Sequence, residues 1–273
     1  MSTSTTPSLA VNALLSGWTP RRIGRRIEVL SEVDSTNQAA MRMLAEPDID
    51  GCAILADYQA QGRGRQGRRW ESPRQASVLC SVVLVDSSER DETHPNSFGG
   101  FLTLASAVAC CEAIRAATDV NPAIKWPNDI RVNGRKLGGI LIESSSVNGS
   151  RGWVVGIGLN CLQHEGHFPP ELREQATSLD LCSHEGVDRA AVARELLKAL
   201  DAILAHDSPA DRSPVYRAWQ RYAEPLGGRI RVQRGGEVYS GSVIEVDPLG
   251  GLVLQGDDRA REWFDPMRTS VLS

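Results

Sequence analysis

Two Asn-Gly pairs, Asn133-Gly134 and Asn148-Gly149, constrain this chain more than any other feature. Asn-Gly suits a two-residue turn whose central residues both have positive φ, and that turn folds the chain back as a β-hairpin. Two such turns predict a meander from Ile124 onward, with strands near 129–132, 137–145 and 152–160. Phe98 to Ala117, mostly apolar, predicts a long buried helix just before it.

The rest of the chain divides around that meander. Leu9 to Leu15 carries a short helical pattern followed by a basic turn, and Arg26 to Ser31 reads as a strand. Asp34 or Ser35 reads as the N-cap of a helix to about Glu46, with Ala39, Met43 and Leu44 on one side. Cys52 to Asp57 and Ser77 to Val85 read as strands, and helical periodicity returns at Arg189 to Ala205 and Pro214 to Tyr222. After Pro225-Leu226-Gly227-Gly228 come short β segments, Arg229 to Gln233, Glu237 to Val246, Leu252 to Gln255 and Glu262 to Phe264. Gly235-Gly236 and Gly250-Gly251 separate them, as in a small barrel of about 45 residues. The expected fold class is α+β, a mixed or antiparallel sheet with flanking helices plus a small C-terminal β-barrel. The expected domains are 1–225 and 226–273.

Composition narrows the function classes. A net charge of −4 disfavours a dedicated nucleic-acid binder. Residues 1–25 are too few for a DNA-binding domain, and the Ser/Thr-rich start lacks the pattern of a secretory signal. No apolar run approaches the roughly 20 residues needed to cross a bilayer. The six cysteines form no C-x-x-C pair, so reduced thiols in the cytoplasm are expected. Only three of the 30 basic residues are lysines, and two of them, Lys125 and Lys136, are close neighbours. Where a compact ammonium must meet a phosphate oxygen, arginine is no substitute.

Three segments carry chemistry. Gly62 to Trp70 reads GRGRQGRRW directly after a strand. Its glycines admit close approach and unusual dihedrals, and Arg63, Arg65, Arg68 and Arg69 surround that backbone with guanidiniums. Such a loop binds phosphate or carboxylate, or alternatively is a flexible basic loop on nucleic acid. It matches neither the common nucleotide-triphosphate loop nor the dinucleotide glycine motif. Lys125-Trp126-Pro127-Asn128-Asp129 and the run from Arg135 to Glu143 flank the first hairpin turn, which lets Lys125 and Lys136 face one pocket. Gly156-Ile157-Gly158-Leu159-Asn160 ends the third meander strand, where glycines mark either a close approach or a bulge.

Ser35-Thr36-Asn37, Gln59, GRGRQGRRW, KWPND, RKLGGILIE and GIGLN, in this order, closely resemble the biotin–protein ligases from about residue 27 to 162. The helices and an SH3-like module continue the resemblance nearly to the last residue. It implies a class II synthetase-like catalytic domain that joins biotin and ATP into biotinyl-5′-AMP, with Mg²⁺. Transfer to a lysine of a biotin carboxyl carrier domain would follow, in acetyl-CoA or related acyl-CoA carboxylases or pyruvate carboxylase. Ser35, Thr36, Asn37 and Gln59 would bond the biotin ureido and neighbouring groups. Arg63, Gly64 and Arg65 would hold the biotin carboxylate and the nucleotide phosphate, and Lys136 the reacting oxygens. Asn128 would contact adenine and Trp70 cover it; Arg68, Lys125, Gly158 and Asn160 would complete the nucleotide side. No DNA, membrane or resident metal is expected. Related lipoate ligases share the fold but differ in the arginine-rich loop. Asp57 stands where that family commonly has glutamate, and Gly138 where it has alanine. His164 and His167 have a zinc-like spacing but no third ligand, Cys110-Cys111 read as core, and Asp257, Asp258 and Glu262 as a solvated face.

Overall fold

The computed structural model describes residues 9–86, 98–147, 150–205, 212–247 and 251–272. Asn148-Gly149 and Gly250 therefore lie outside the described residues. Asn133 and Gly134 have φ of 50° and 76°, and they join β5 (Asp129–Val132) to β6 (Arg135–Val147). β6 pairs antiparallel with β7 (Ser150–Asn160), and β7 with β3 (Ser77–Asp86). β4 (Ala123–Lys125) closes one edge against β5. Beyond β3 lie β2 (Ala53–Ala56), antiparallel to it, and β1 (Ile27–Leu30), parallel to β2. The sheet is mixed and seven-stranded, in the order β1-β2-β3-β7-β6-β5-β4.

Helices cover both faces because both faces are apolar. α3 (Phe98–Ala117) lies on one, packed with α4 (Arg189–Leu204), and α5 (Ser213–Tyr222) packs on α3. By its length and a mean hydropathy of 1.4, α3 could span a membrane, which corrects the expectation that no apolar run reaches that length. It is a core helix: 78% of its most apolar window is buried. α1 (Val11–Leu14) packs on α4, and Asp201 of α4 accepts bonds from the Arg21, Arg22 and Ile23 amides, pinning the basic turn. α2 (Thr36–Met43) covers the other face, with Ala39, Ala40 and Leu44 against Ile54, Val83 and Val154. Ser35 occupies its N-cap without a side-chain bond, while Asp34 accepts from the Ser35 amide. The helix ends three residues before the expected Glu46, and its buried face includes the polar Thr36 and Asn37.

The C-terminal module comprises β8 (Arg229–Arg234), β9 (Glu237–Asp247), β10 (Gly251–Gln255), β11 (Arg261–Phe264) and β12 (Thr269–Val271). They form an antiparallel five-stranded, barrel-like sheet ordered β11-β10-β9-β8-β12, whose last strand the sequence pattern did not signal. Ile230, Val232, Leu252, Leu254 and Phe264 join the same apolar core as α3. Glu262 is half-buried and paired with Arg234, so only Asp257 and Asp258 fit the expected solvated face.

Asp57 is buried. Its carboxylate meets the Arg189 guanidinium at 2.6 Å, with side chains 8% and 2% exposed. Gln75 also donates to it, and Arg189 donates to the Ser77 carbonyl. This pair fastens the start of α4 to the end of β2. Arg189→Ala takes a buried carboxylate's partner and should cost about 3–5 kcal/mol of stability. Urea unfolding measures it, and a loss below about 1 kcal/mol would show the pair to be dispensable.

Candidate active site

A cleft of about 1150 Å³ opens across the meander, and all fourteen residues expected to form the site line it. Ser35, Thr36, Asn37, Gln59, Arg63, Gly64, Arg65, Arg68, Trp70, Lys125, Asn128, Lys136, Gly158 and Asn160 thus converge from α2, two loops and three strands.

At one end is a neutral polar cup. Ser35, Thr36 and Asn37 are buried at the start of α2. The Thr36 amide and hydroxyl both reach Gln59 Oε1, at 2.7 and 3.0 Å. Asn37 Nδ2 donates to Glu143 Oε2 at 2.8 Å and to the Leu141 carbonyl at 3.3 Å. Ser81 Oγ lies 2.7 Å from Thr36 Oγ1 and 2.6 Å from Asn37 Oδ1. Gly156 explains itself here: a Cβ would stand 2.1 Å from Asn37 Oδ1. Gly158 is the seat of Trp70, whose ring would meet a Cβ at 2.7 Å. Both glycines of GIGLN therefore mark close approach rather than a bulge.

The arginine loop folds over the middle of the cleft as a small closed hairpin. Gly64 N donates to Arg68 O at 2.7 Å, Trp70 N to Gly62 O at 3.0 Å, and Arg63 bridges Arg69. Positive φ falls at Gln66 (57°) and Gly67 (72°), not at Gly62 or Gly64, so only one of the three expected glycines takes it. Arg63 Nη2 sits 3.1 Å from Glu143 Oε1. Arg65 donates to Asn128 Oδ1 at 3.0 Å and to the carbonyls of Met267 and Thr269 at 2.6 and 2.9 Å, while Gln66 reaches Ser270 Oγ. Burial pushes the Arg65 guanidinium below its ordinary pKa, with Asp129 and Asp265 opposing that shift. The loop is thus latched by the C-terminal module.

The far end is cationic. A register shift leaves Leu137 of β6 without a partner between Ile130 and Arg131 and sets Lys136 opposite Arg131, and Lys136 Nζ lies 2.6 Å from Asp129 Oδ1. Backbone bonds to Gln175 and Thr177 fix Lys136 from the other side. Burial, then the positive charges of Arg131 and Lys136, lowers the Lys125 pKa; Asp129 and Glu224 oppose. Two amides expected on the nucleotide are already engaged: Asn128 Nδ2 donates to Ile140 O, and Asn160 joins Thr177 O and Gln163. The first ties the turn before β5 to β6, and the second ties the end of β7 to the loop segments at Gln163 and Thr177. Sequence reading passed over Ser81, Glu143, Asp129 and Gln163; the first is a small polar residue inside an apolar stretch, and the next two end recognised motifs.

His164 and His167 stack at 5.5 Å on an exposed turn, with Asp180 3.5 Å from His164 Nδ1. Among the described residues there is no group of three or more His, Cys, Asp or Glu placed to hold a metal.

The model of the biotin/lipoate A/B protein ligase family matches residues 29–160. A biotin–[acetyl-CoA-carboxylase] ligase of Mycobacterium tuberculosis is 33% identical over 246 residues, 88% of this chain and 84% of that protein. One from Paracoccus denitrificans is 34% identical over 241 residues, 84% of this chain and 93% of that protein. The fold matches a biotin protein ligase from Aquifex aeolicus solved with biotin and ATP, with a TM-score of 0.73 at 24% identity, covering 90% of this chain and 98% of that one. Fold, cleft and relatives agree: the chain belongs to the biotin/lipoate A/B protein ligase family.

Proposed function

We propose that this enzyme activates biotin with ATP and transfers it to a lysine of a carboxylase carrier domain. The observation that carries this reading is a neutral hydrogen-bonding cup continuous with a cationic wall, bridged by a closable arginine loop. A polar heterocycle fits the cup and a polyanion fits the wall, so the carboxylate between them meets the α-phosphate beneath the loop. A lipoyl ring offers only weak sulfur acceptors, and would leave the Gln59 amide donors of the cup poorly paired; such a site rejects an analogue lacking the bonding groups.

The carboxylate oxygen of biotin attacks the α-phosphorus, the bond to the β-phosphate oxygen breaks, and pyrophosphate leaves. Lys136, Lys125 and the loop arginines offset the charge that builds on the phosphoryl oxygens. Ser35, Thr36, Asn37 and Gln59 would hold the biotin end, with Arg63, Gly64 and Arg65 above its carboxylate. Trp70 on Gly158, with Arg68, Asn128 and Asn160, would shape the nucleotide end. The adenylate hydrolyses if water enters, so the closed loop protects it. The carrier amine then attacks the acyl carbon, AMP leaves, and the amine gives up a proton. Mg²⁺ would travel on the nucleotide's phosphate oxygens and water, since the described residues build no cage for it.

The names of the relatives support an acetyl-CoA carboxylase carrier as acceptor; related acyl-CoA carboxylases and pyruvate carboxylase are included in the proposal. The proposed division is 1–225 for catalysis and 226–273 for the module, in a cytoplasmic protein with no role on DNA or membrane. Biotin and lipoate, titrated separately with ATP, should give pyrophosphate release with biotin alone; release with lipoate alone would reassign the substrate. Biotin and ATP together should raise the melting temperature more than either ligand alone, because the adenylate spans both ends of the cleft. The absence of any extra shift with both would count against adenylate formation.

A further inference from the structure

Glu143 closes the motif that begins at Arg135, yet no step above uses it. It stands behind Asn37 of the cup, outside the cleft lining, and it is acceptor-only when ionised. One oxygen takes Asn37 Nδ2 at 2.8 Å and the other faces Arg63 Nη2 at 3.1 Å. The Leu141 carbonyl, also acceptor-only, takes Asn37's second N–H. Two acceptors on that side fix the amide: its nitrogen must face Glu143, and its oxygen must face Ser81.

The consequence propagates. Asn37 Oδ1 has no proton to give, so the single Ser81 proton goes to it, across 2.6 Å. Ser81 Oγ then offers a lone pair to Thr36, and the 2.7 Å contact between the two hydroxyls takes the Thr36 proton. That uses the one Thr36 hydroxyl proton, and the chain ends there; the Gln59 oxygen is turned inward separately, by the Thr36 backbone N–H at 2.7 Å. Its Nε2 donors are left for the cleft. Asn37, Ser81 and Thr36 are thus ordered in turn, and that order starts at a carboxylate.

We propose that Glu143 and Ser81 are positioning residues that hold the Asn37 amide and the Thr36 hydroxyl in one orientation, so that the Gln59 donors held by Thr36 stay aimed at an acceptor on the substrate's heterocycle. This rests on the biotin reading above, with the ureido carbonyl as that acceptor. Glu143 also anchors the first arginine of the loop, so one side chain orders both the cup and its cover.

A donor swap tests it. Asn37→Asp sets a second carboxylate against Glu143, and should weaken biotin binding roughly 10- to 100-fold. Adding Glu143→Gln restores a donor between the two side chains, with Asp as acceptor and Gln as donor. Ser81 still finds its acceptor, and Arg63 still finds an oxygen. Biotin affinity should then recover at least about threefold over Asn37→Asp, short of full return because the Leu141 carbonyl now faces an acceptor, a non-additivity expected only of side chains in direct contact. ATP affinity should change less than about twofold throughout, whereas general loosening of the cleft would lower both. Calorimetry on the full chain reads each value. Should Asn37→Asp fail to fold, Ser81→Ala serves, with biotin about 5- to 15-fold weaker and ATP unaffected. The proposal is overturned if the double variant binds biotin no better than Asn37→Asp, or if Ser81→Ala weakens both ligands equally. Wild-type protein that binds lipoate and not biotin would instead overturn the substrate reading.

Discussion

Lys136→Ala is expected to slow adenylate formation by about 30- to 1000-fold while leaving the fold in place, corresponding to roughly 2–4 kcal/mol of barrier. The ammonium stands at the cationic end of the cleft, held from β6 and fixed through backbone bonds to Gln175 and Thr177. Those bonds involve the main chain, and alanine keeps them. What alanine removes is a compact charge aimed where phosphoryl oxygens gain negative charge. It also removes the partner of Asp129, at 2.6 Å, so a carboxylate is left facing the same oxygens. Both consequences raise the barrier, and neither touches the apolar core, so melting should shift by only a few degrees. Pyrophosphate release under single-turnover conditions, with biotin saturating, is the measurement. Release within a few-fold of wild type would remove Lys136 from the chemistry.

The sequence revealed what is local. Asn133-Gly134 announces its own turn, because few other pairs take positive φ twice, and from that turn the meander and the placement of Lys125 and Lys136 follow. α3 was legible from end to end by its mostly apolar composition. β12 was not, since three residues, Thr269 to Val271, are too few for a period of two to appear. The cup was half legible. Its residues carried the family resemblance, but their bonds join Asn37 to Glu143, 106 positions away, and Ser81 to Thr36, 45 away. No propensity encodes such partners. Asn128 and Asn160 carry bonds that their motifs did not signal: their amide nitrogens donate to the carbonyls of Ile140 and Thr177. The left-handed Gln66 within a glycine-rich loop was hidden because Gly62, Gly64 and Gly67 all offered easier places for it.

Arg65→Gly is expected to turn a retentive enzyme into a leaky one. In the structure the Arg65 guanidinium is the rivet of the lid: it joins the loop to Asn128 on the meander and to the Met267 and Thr269 carbonyls of the C-terminal module. Those carbonyls stand 202 and 204 positions away, so a single side chain closes the cleft across most of the chain. Glycine removes all three bonds, and it also loosens a loop that already carries positive φ at Gln66 and Gly67. A hydrogen bond to a charged group contributes roughly 1.5–3 kcal/mol, so escape of the adenylate should quicken by about 10- to 100-fold even if only one is lost in effect. Adenylate formation should persist, because Lys136, Lys125 and Arg63 remain in the cleft. The freed mixed anhydride acylates any exposed amine without docking. With only three lysines of its own, the enzyme is a poor sink for it, so a lysine-rich bystander such as albumin is the better reporter. Biotin on albumin should rise at least tenfold with the variant, at matched rates of pyrophosphate release. Equal labelling by variant and wild type, with adenylation confirmed in both, would mean that the lid stays shut without its rivet, and that retention belongs to Trp70 and the cup.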